Sequence, residues 1–128
     1  MKTLFKSIYI ITIATFLSSC VQETHLKTFH FKVDMSGIEN INNPSVKGQF
    51  TTPSWEKAIP LTDADGDSIY EANVEIQAAQ FGIHFKFVNN DEYELQDQNN
   101  RFIKFEYEPE NFTYEAIYNN SESKITKN

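Results

Sequence analysis

The sequence predicts an all-β protein, a single antiparallel β-sandwich of about seven short strands with immunoglobulin-like architecture. Two observations support this fold class. Eleven Phe, six Tyr and one Trp occur among 128 residues that include four Gly and four Pro, and large rings favour strands over helices. Apolar and polar residues also alternate with period two in several runs, whereas no segment has a convincing helical period.

The strands are predicted from these runs in chain order. Four runs with clear alternation each have one apolar face to bury, and they span residues 28–35, 70–76, 83–88 and 112–118. Residues 46–51 and 101–107 are two further candidates. Turn residues separate the runs at Asp65-Gly66, at Asn89-Asn90-Asp91 and at Pro109. Short strands that recur at this spacing are typical of a β-sandwich.

The N-terminus has the plan of a secretory signal. Met1, Lys2 and Lys6 form a short positive region, and Ile8 to Leu17 form an apolar one. This apolar run is about half as long as the ~20 residues that a membrane-spanning helix needs. We therefore expect residues 1–19 to be cleaved.

Cys20 is the single cysteine of the chain, and Leu17-Ser18-Ser19-Cys20 resembles the lipobox of bacterial lipoproteins. The resemblance implies a diacylglyceryl group on the thiol of Cys20, cleavage before it, and a protein tethered to the cell envelope, with the outer membrane as the favoured location. The alternative is that Cys20 is the last residue of a plain signal or a small apolar residue. In either case no disulfide can form within the chain.

Cleavage would leave 109 of the 128 residues, enough for one small domain. Losing Lys2 and Lys6 changes the formal charge from −7 to −9. This charge opposes binding to nucleic acid or to an anionic lipid surface, since both depend on cationic contacts. We predict a lipid-anchored spacer over residues 20–27, a sandwich over 28–118 and a polar, frayed tail over 119–128.

Three ordered stretches resemble the starch- and glycogen-binding modules of carbohydrate-binding families 20 and 48. In chain order, they are Val46-Lys47-Gly48-Gln49-Phe50 with Trp55 behind it; Leu61 followed by residues 63–71 (DADGDSIYE); and Phe85-Lys86-Phe87-Val88, Tyr93-Glu94 and Asn100-Arg101. Residues 29–37 (FHFKVDMSG) also resemble the first strand of such modules in Bacteroidetes surface proteins. Two departures stand out, because Tyr93 occupies a position that is commonly Trp and the stretch from Tyr93 to Asn100 is about two residues longer than usual.

The resemblance implies a sugar platform of Trp55 and Tyr93, with Lys86, Glu94 and Asn100 around it. The residue types suit this chemistry. A sugar ring has a face of C–H bonds that stacks on an aromatic ring and a rim of hydroxyls that needs fixed polar partners. By strand alternation, Lys86 points away from the core and is free to donate.

A simpler interpretation of the same residues stays open. Trp55 would cap the end of the core, and Lys86 and Glu94 would form a solvated ion pair worth less than ~1 kcal/mol.

Other sites have weaker support. Asp63, Asp65 and Asp67 offer oxygen ligands at alternate positions, but their register does not fit an EF-hand, and a hairpin turn explains them more simply. The sequence leaves calcium binding there open.

Glu92 and Glu94 lie side by side and not across a cleft, which argues against glycoside hydrolysis. No spacing typical of a catalytic triad, a metal centre or a phosphate loop is present, so we expect neither an enzyme nor a cofactor. The sequence therefore predicts an envelope lipoprotein that binds α-glucan polysaccharide without altering it. The alternative is a structural or adaptor lipoprotein that uses the sandwich to hold an envelope protein partner.

Overall fold

Nine strands make up the ordered structure in the computed structural model, which describes residues 22–128. They are β1 (His25–Asp34), β2 (Ser45–Gly48), β3 (Ile59–Pro60), β4 (Ile69–Ala78), β5 (Gly82–Asn89), β6 (Glu92–Tyr93), β7 (Arg101–Lys104), β8 (Glu110–Ile117) and β9 (Ser123–Lys127). None of the described residues lies in a helix, so the predicted all-β class is confirmed. Over the same residues, there is no helix that could cross a membrane.

The strands form two sheets that share one core. The first sheet has the order β4-β1-β8-β9, and the second has the order β3-β2-β5-β6, with β7 also paired to β5. The predicted sandwich is therefore confirmed. Its first sheet departs from a purely antiparallel arrangement, because β1 and β8 pair in parallel. A parallel pair needs a long connection, and here most of the domain lies between the two strands.

Aromatic rings fill the space between the sheets. Phe31 from the first sheet is fully buried, and its ring centroid lies 5.0 Å from that of Phe85 in the second sheet. Phe87 and Tyr114 contact the same ring at 6.1 Å each, at angles near those of edge-to-face pairs. The alternation read from the sequence therefore places its apolar residues in one continuous core.

The polar segment 119–128 was predicted to fray, and this prediction was wrong. Residues 123–127 form β9, which pairs antiparallel with β8. All five residues are exposed, so the strand has no buried face and the sequence has no apolar alternation that would indicate it. Lys127 attaches it to the domain, since its Nζ lies 2.6 Å from Glu108 Oε1 and 2.9 Å from Glu110 Oε2.

The predicted spacer also ends earlier than expected, because β1 begins at His25. Lys27 is buried, and its ammonium donates to Glu110 Oε1 at 2.6 Å and to the carbonyl oxygen of Glu106 at 2.8 Å. Burial raises the pKa of Glu110, but hydrogen bonds from Lys27 and Lys127 outweigh burial and hold that pKa below its usual value. This buried ion pair is how a lysine can be a core residue here.

Residues 1–21, which include Cys20, lie outside the described part of the chain.

Candidate functional site

A concave groove of about 370 Å³ lies on the outer face of the second sheet. We call it the aromatic groove, and its lining residues are Trp55, Lys86, Tyr93, Gln96, Asp97 and Asn100. The structure thus brings together four of the five predicted sugar-contacting residues. A hollow of about 430 Å³ on the first sheet includes Lys32, Asp34 and Glu115 but has no aromatic ring in its lining.

Trp55 and Tyr93 form the two walls of the aromatic groove. Their ring centroids are 6.0 Å apart and their planes meet at 71°, so the rings form an angled recess instead of a flat platform. Tyr93 is 37% exposed and Trp55 is half-buried, which leaves part of each ring open to solvent. The hydroxyl of Tyr93 donates to the carbonyl oxygen of Trp55 at 3.4 Å and links the walls.

The loop that carries Trp55 is held tightly against the sheet. The amide of Trp55 donates to the carbonyl oxygen of Gly48 at 2.9 Å, and Thr51 Oγ1 donates to the carbonyl oxygen of Pro53 at 2.9 Å. Trp55 itself has a φ of 67°, a left-handed conformation that is uncommon for a bulky residue. Strained backbone of this kind clusters at ligand sites, where the surrounding structure holds the residue in place.

Gly48 explains why the loop can approach so closely. A Cβ atom at this position would lie 2.5 Å from the carbonyl oxygen of His84 and 2.6 Å from Phe85 Cβ. Only glycine fits, and the V-x-G-x-F pattern noted in the sequence has this steric origin. The two strands and the Trp55 loop can therefore pack together.

Lys86 lies between the walls and the loop that follows β6. Its Nζ donates to the carbonyl oxygens of Leu95, at 2.9 Å, and Gln98, at 3.1 Å. An ammonium group has three N–H donors, so one remains for a ligand in the groove. The prediction that Lys86 points away from the core is confirmed, but most of its hydrogen-bonding capacity holds the loop in place.

Glu94 was predicted to face the sugar, and the structure places it elsewhere. It is 2% exposed, and its carboxylate forms a buried ion pair with Arg101. The same carboxylate accepts hydrogen bonds from the amides of Phe87, at 3.0 Å, and Asn119, at 2.8 Å. The alternative prediction of a solvated pair between Lys86 and Glu94 was also wrong, because each side chain is engaged with other partners.

The reason lies in the short strand β6, in which Tyr93 faces outward and the next residue turns inward. Leu95 then takes a φ of 52° and is buried, so the chain leaves the sheet at this point. Arg101 follows at the start of β7 and shares the inward face with Ile103. An arginine in phase with apolar strand residues was the sequence signal that it needs a buried carboxylate partner.

The sequence prediction missed Gln96 and Asp97, which also line the aromatic groove. Gln96 Nε2 donates to the carbonyl oxygen of Tyr93 at 2.6 Å, which orients the amide beside the tyrosine ring. Both residues lie in the loop between Tyr93 and Asn100, and this position could have identified them. Together with Asn100, which is exposed, they provide donors and acceptors along one rim.

The three aspartates before β4 form a compact acidic loop. Within residues 22–128, Asp63, Asp65 and Asp67 are the only group of three or more potential metal ligands, with ligand atoms within 4.8 Å of one another. Their oxygens also accept backbone N–H groups, including that of Ser68 at 3.0 Å to Asp63 and that of Ile69 at 2.9 Å to Asp67. Gly66, with a φ of 73°, completes the turn. The predicted turn accounts for this cluster.

No protein-family model matches the chain, and no curated protein matches it. The solution structure of CBM25-2 of the β/α-amylase from Paenibacillus polymyxa is similar at 17% sequence identity, over 84% of this chain and 96% of that chain, with a TM-score of 0.47.

Proposed function

We propose that this domain is a non-catalytic module that binds polysaccharide of the α-glucan type in the aromatic groove. The observation that carries the proposal is the angled pair of Trp55 and Tyr93, which is partly open to solvent and has Lys86 and Asn100 beside it. Two rings at 71° can contact two faces of a curved sugar chain, and the polar rim can bind its hydroxyls.

The charges of the groove fit a neutral ligand. Lys86 and Asp97 both line it, and Lys47 Nζ lies 5.8 Å from the centroid of the Tyr93 ring. Charges of both signs, spaced around aromatic rings, favour a partner with hydroxyl groups over one with phosphates. Glu94 is held in a buried ion pair with Arg101, so it cannot act together with Glu92 on a glycosidic bond, which supports binding without hydrolysis.

The first test is retention on insoluble starch, followed by titration with soluble glucan. The wild-type protein should bind, and Trp55→Ala should weaken binding by at least about tenfold, or ~1.4 kcal/mol, because it removes one wall of the groove. Tyr93→Ala should have a similar effect. Tyr107→Ala is the matched control, since Tyr107 is exposed but does not line the groove, and its binding should not change.

Failure of the wild-type protein to bind starch or soluble glucan would overturn the proposal and favour the adaptor role. If both groove variants bind as tightly as the wild-type protein, the binding site lies elsewhere on the surface and the aromatic groove is ruled out.

We propose further that Cys20 carries the lipid that anchors this module to the envelope. A module that stacks sugars on two rings binds weakly, and many anchored copies acting on one polymer would increase retention through effective concentration. Two or more acyl chains give stable anchoring, at ~0.8 kcal/mol for each buried methylene.

Cys20→Ala should move the protein out of the membrane fraction or leave it unprocessed, because the thiol is the acceptor for the lipid. Metabolic labelling with a fatty acid and fractionation measure the two effects. Ser19→Ala is the control, since it keeps a small residue before the cysteine and should leave labelling intact. Unchanged fractionation of Cys20→Ala, without label on the wild-type protein, would refute the anchor.

A further inference from the structure

A second pair of rings lies on the outer face of the same sheet, outside the aromatic groove. His84 on β5 and Phe102 on β7 are register partners, with ring centroids 4.7 Å apart and planes at 38°. Phe102 is 44% exposed and His84 is also exposed. We call this pair the distal ring pair.

The distal ring pair is continuous with the aromatic groove. On β5, His84 comes two residues before Lys86, and Phe102 on β7 comes two residues after Asn100, which immediately precedes that strand. Two residues along a strand share a face and are ~7 Å apart. The pair therefore lies beside the polar rim of the groove, on the path that a polymer would follow along β5.

The local packing holds Phe102 flat against the sheet. A Cβ atom at Gly82 would lie 2.4 Å from Phe102 Cζ and 2.6 Å from Phe102 Cε2, so the ring occupies the space that a side chain at Gly82 would need. Gln49 Oε1 accepts the amide hydrogen of His84 at 2.9 Å and holds the neighbouring backbone. The ring is thus fixed in position before any ligand arrives.

The two outer faces of the sandwich differ in their aromatic content. The outward positions of β1, β4, β8 and β9 carry no Phe, Tyr or Trp. The second sheet presents Tyr93 and Phe102 outward, with Trp55 beside them. Among the rings carried by strands, the outward-facing ones therefore lie on the second sheet, whereas the exposed rings of Phe81 and Tyr107 lie in loops.

We infer that the distal ring pair is a second stacking position for the same polysaccharide chain as it leaves the aromatic groove. The inference rests on the proposed function. The face of Phe102 would contact the C–H face of a sugar ring. The imidazole of His84 would donate a hydrogen bond to a sugar hydroxyl or accept one from it. Long chains would reach both positions, whereas short ones would fill only the groove.

Calorimetric titration with maltotriose and maltoheptaose tests the inference. Phe102→Ala should leave maltotriose binding unchanged and weaken maltoheptaose binding by about fivefold, since only the longer chain reaches the distal ring pair. Trp55→Ala should weaken the binding of both sugars. Phe102→Leu is a second variant that keeps an apolar side chain but removes the flat ring, and it should resemble Phe102→Ala.

The outcomes separate the two proposals. If the wild-type protein binds both sugars and the Phe102 variants bind maltoheptaose as tightly as it does, the second position is overturned while the proposed function stands. If the wild-type protein binds neither sugar, both are overturned. Thermal unfolding of each variant checks that the domain is intact.

Discussion

Arg101→Met should lower the free energy of unfolding by about 3–5 kcal/mol, because it leaves the Glu94 carboxylate buried without its charged partner. Arg101 donates to Glu94 through two nitrogens, to the Tyr114 hydroxyl at 3.3 Å and to the carbonyl oxygen of Asn120 at 2.7 Å. Burial lowers the pKa of Arg101, but its hydrogen bonds to Glu94 outweigh burial and raise the pKa above the usual value. The guanidinium therefore stays charged in the core.

Denaturant unfolding followed by fluorescence measures the loss. Lys104→Met is the matched control on the same strand, where an exposed lysine lies 4.0 Å from Glu106, and its unfolding free energy should change by less than ~0.5 kcal/mol. The double variant Glu94→Gln with Arg101→Met should be less destabilised than the sum of the single variants, because no uncompensated charge remains. A loss of under ~1 kcal/mol for Arg101→Met would contradict the assigned role of the pair.

This ion pair also supports the candidate site from beneath. Glu94 accepts the amide hydrogen of Asn119, and Asn119 Oδ1 in turn accepts the amide hydrogen of Leu95 at 2.8 Å. Leu95 begins the loop that Lys86 holds from the opposite side. The carboxylate predicted as a sugar contact thus connects the rim of the groove to the turn before β9.

Phe31→Ala should lower the free energy of unfolding by about 3–5 kcal/mol, because it opens a cavity in the centre of the core. Phe31 is fully buried, and its centroid lies 5.0 Å from that of Phe85 and 5.9 Å from that of Phe50. Phe85 lies in β5 of the opposite sheet, and Phe50 lies in the loop that follows β2 of that sheet. The surrounding strands are fixed by their ladders and can close the cavity only in part.

Equilibrium unfolding in urea measures this change. Phe102→Ala is the control, because the same truncation at an exposed ring should cost less than ~1 kcal/mol. Phe31→Leu keeps most of the volume and should lose less than Phe31→Ala. Equal losses for Phe31→Ala and Phe102→Ala would show that the predicted core is not centred on Phe31.

Much of the fold could be predicted from local sequence. The runs at 28–35, 70–76, 83–88 and 112–118 fall within β1, β4, β5 and β8 to within a few residues. Alternation is a local property, and burying one face of each run is enough to define the sandwich. Asn90 and Asp91, with φ values of 53° and 60°, turn the chain into β6 at the predicted position. The lipid anchor at Cys20 stays a prediction from sequence.

Only the tertiary structure decided the features that depend on distant pairing. The exposed strand β9 has no apolar face, and the parallel pairing of β1 with β8 joins segments far apart in the chain. Trp55 and Tyr93 are 38 residues apart. They meet because β5 pairs with β2, which precedes the Trp55 loop, and with β6, which carries Tyr93.

Glu94 follows Tyr93 directly and faces inward, so strand alternation already argued against placing both side chains in the groove, and the structure supplies the buried partner of Glu94, Arg101. The sequence by itself therefore determined the strands that bury one face and the rings that pack between the sheets, because burial of one strand face is a local pattern. The tertiary structure decided which polar residues face the groove and which face inward, because that depends on where each strand ends and what it packs against.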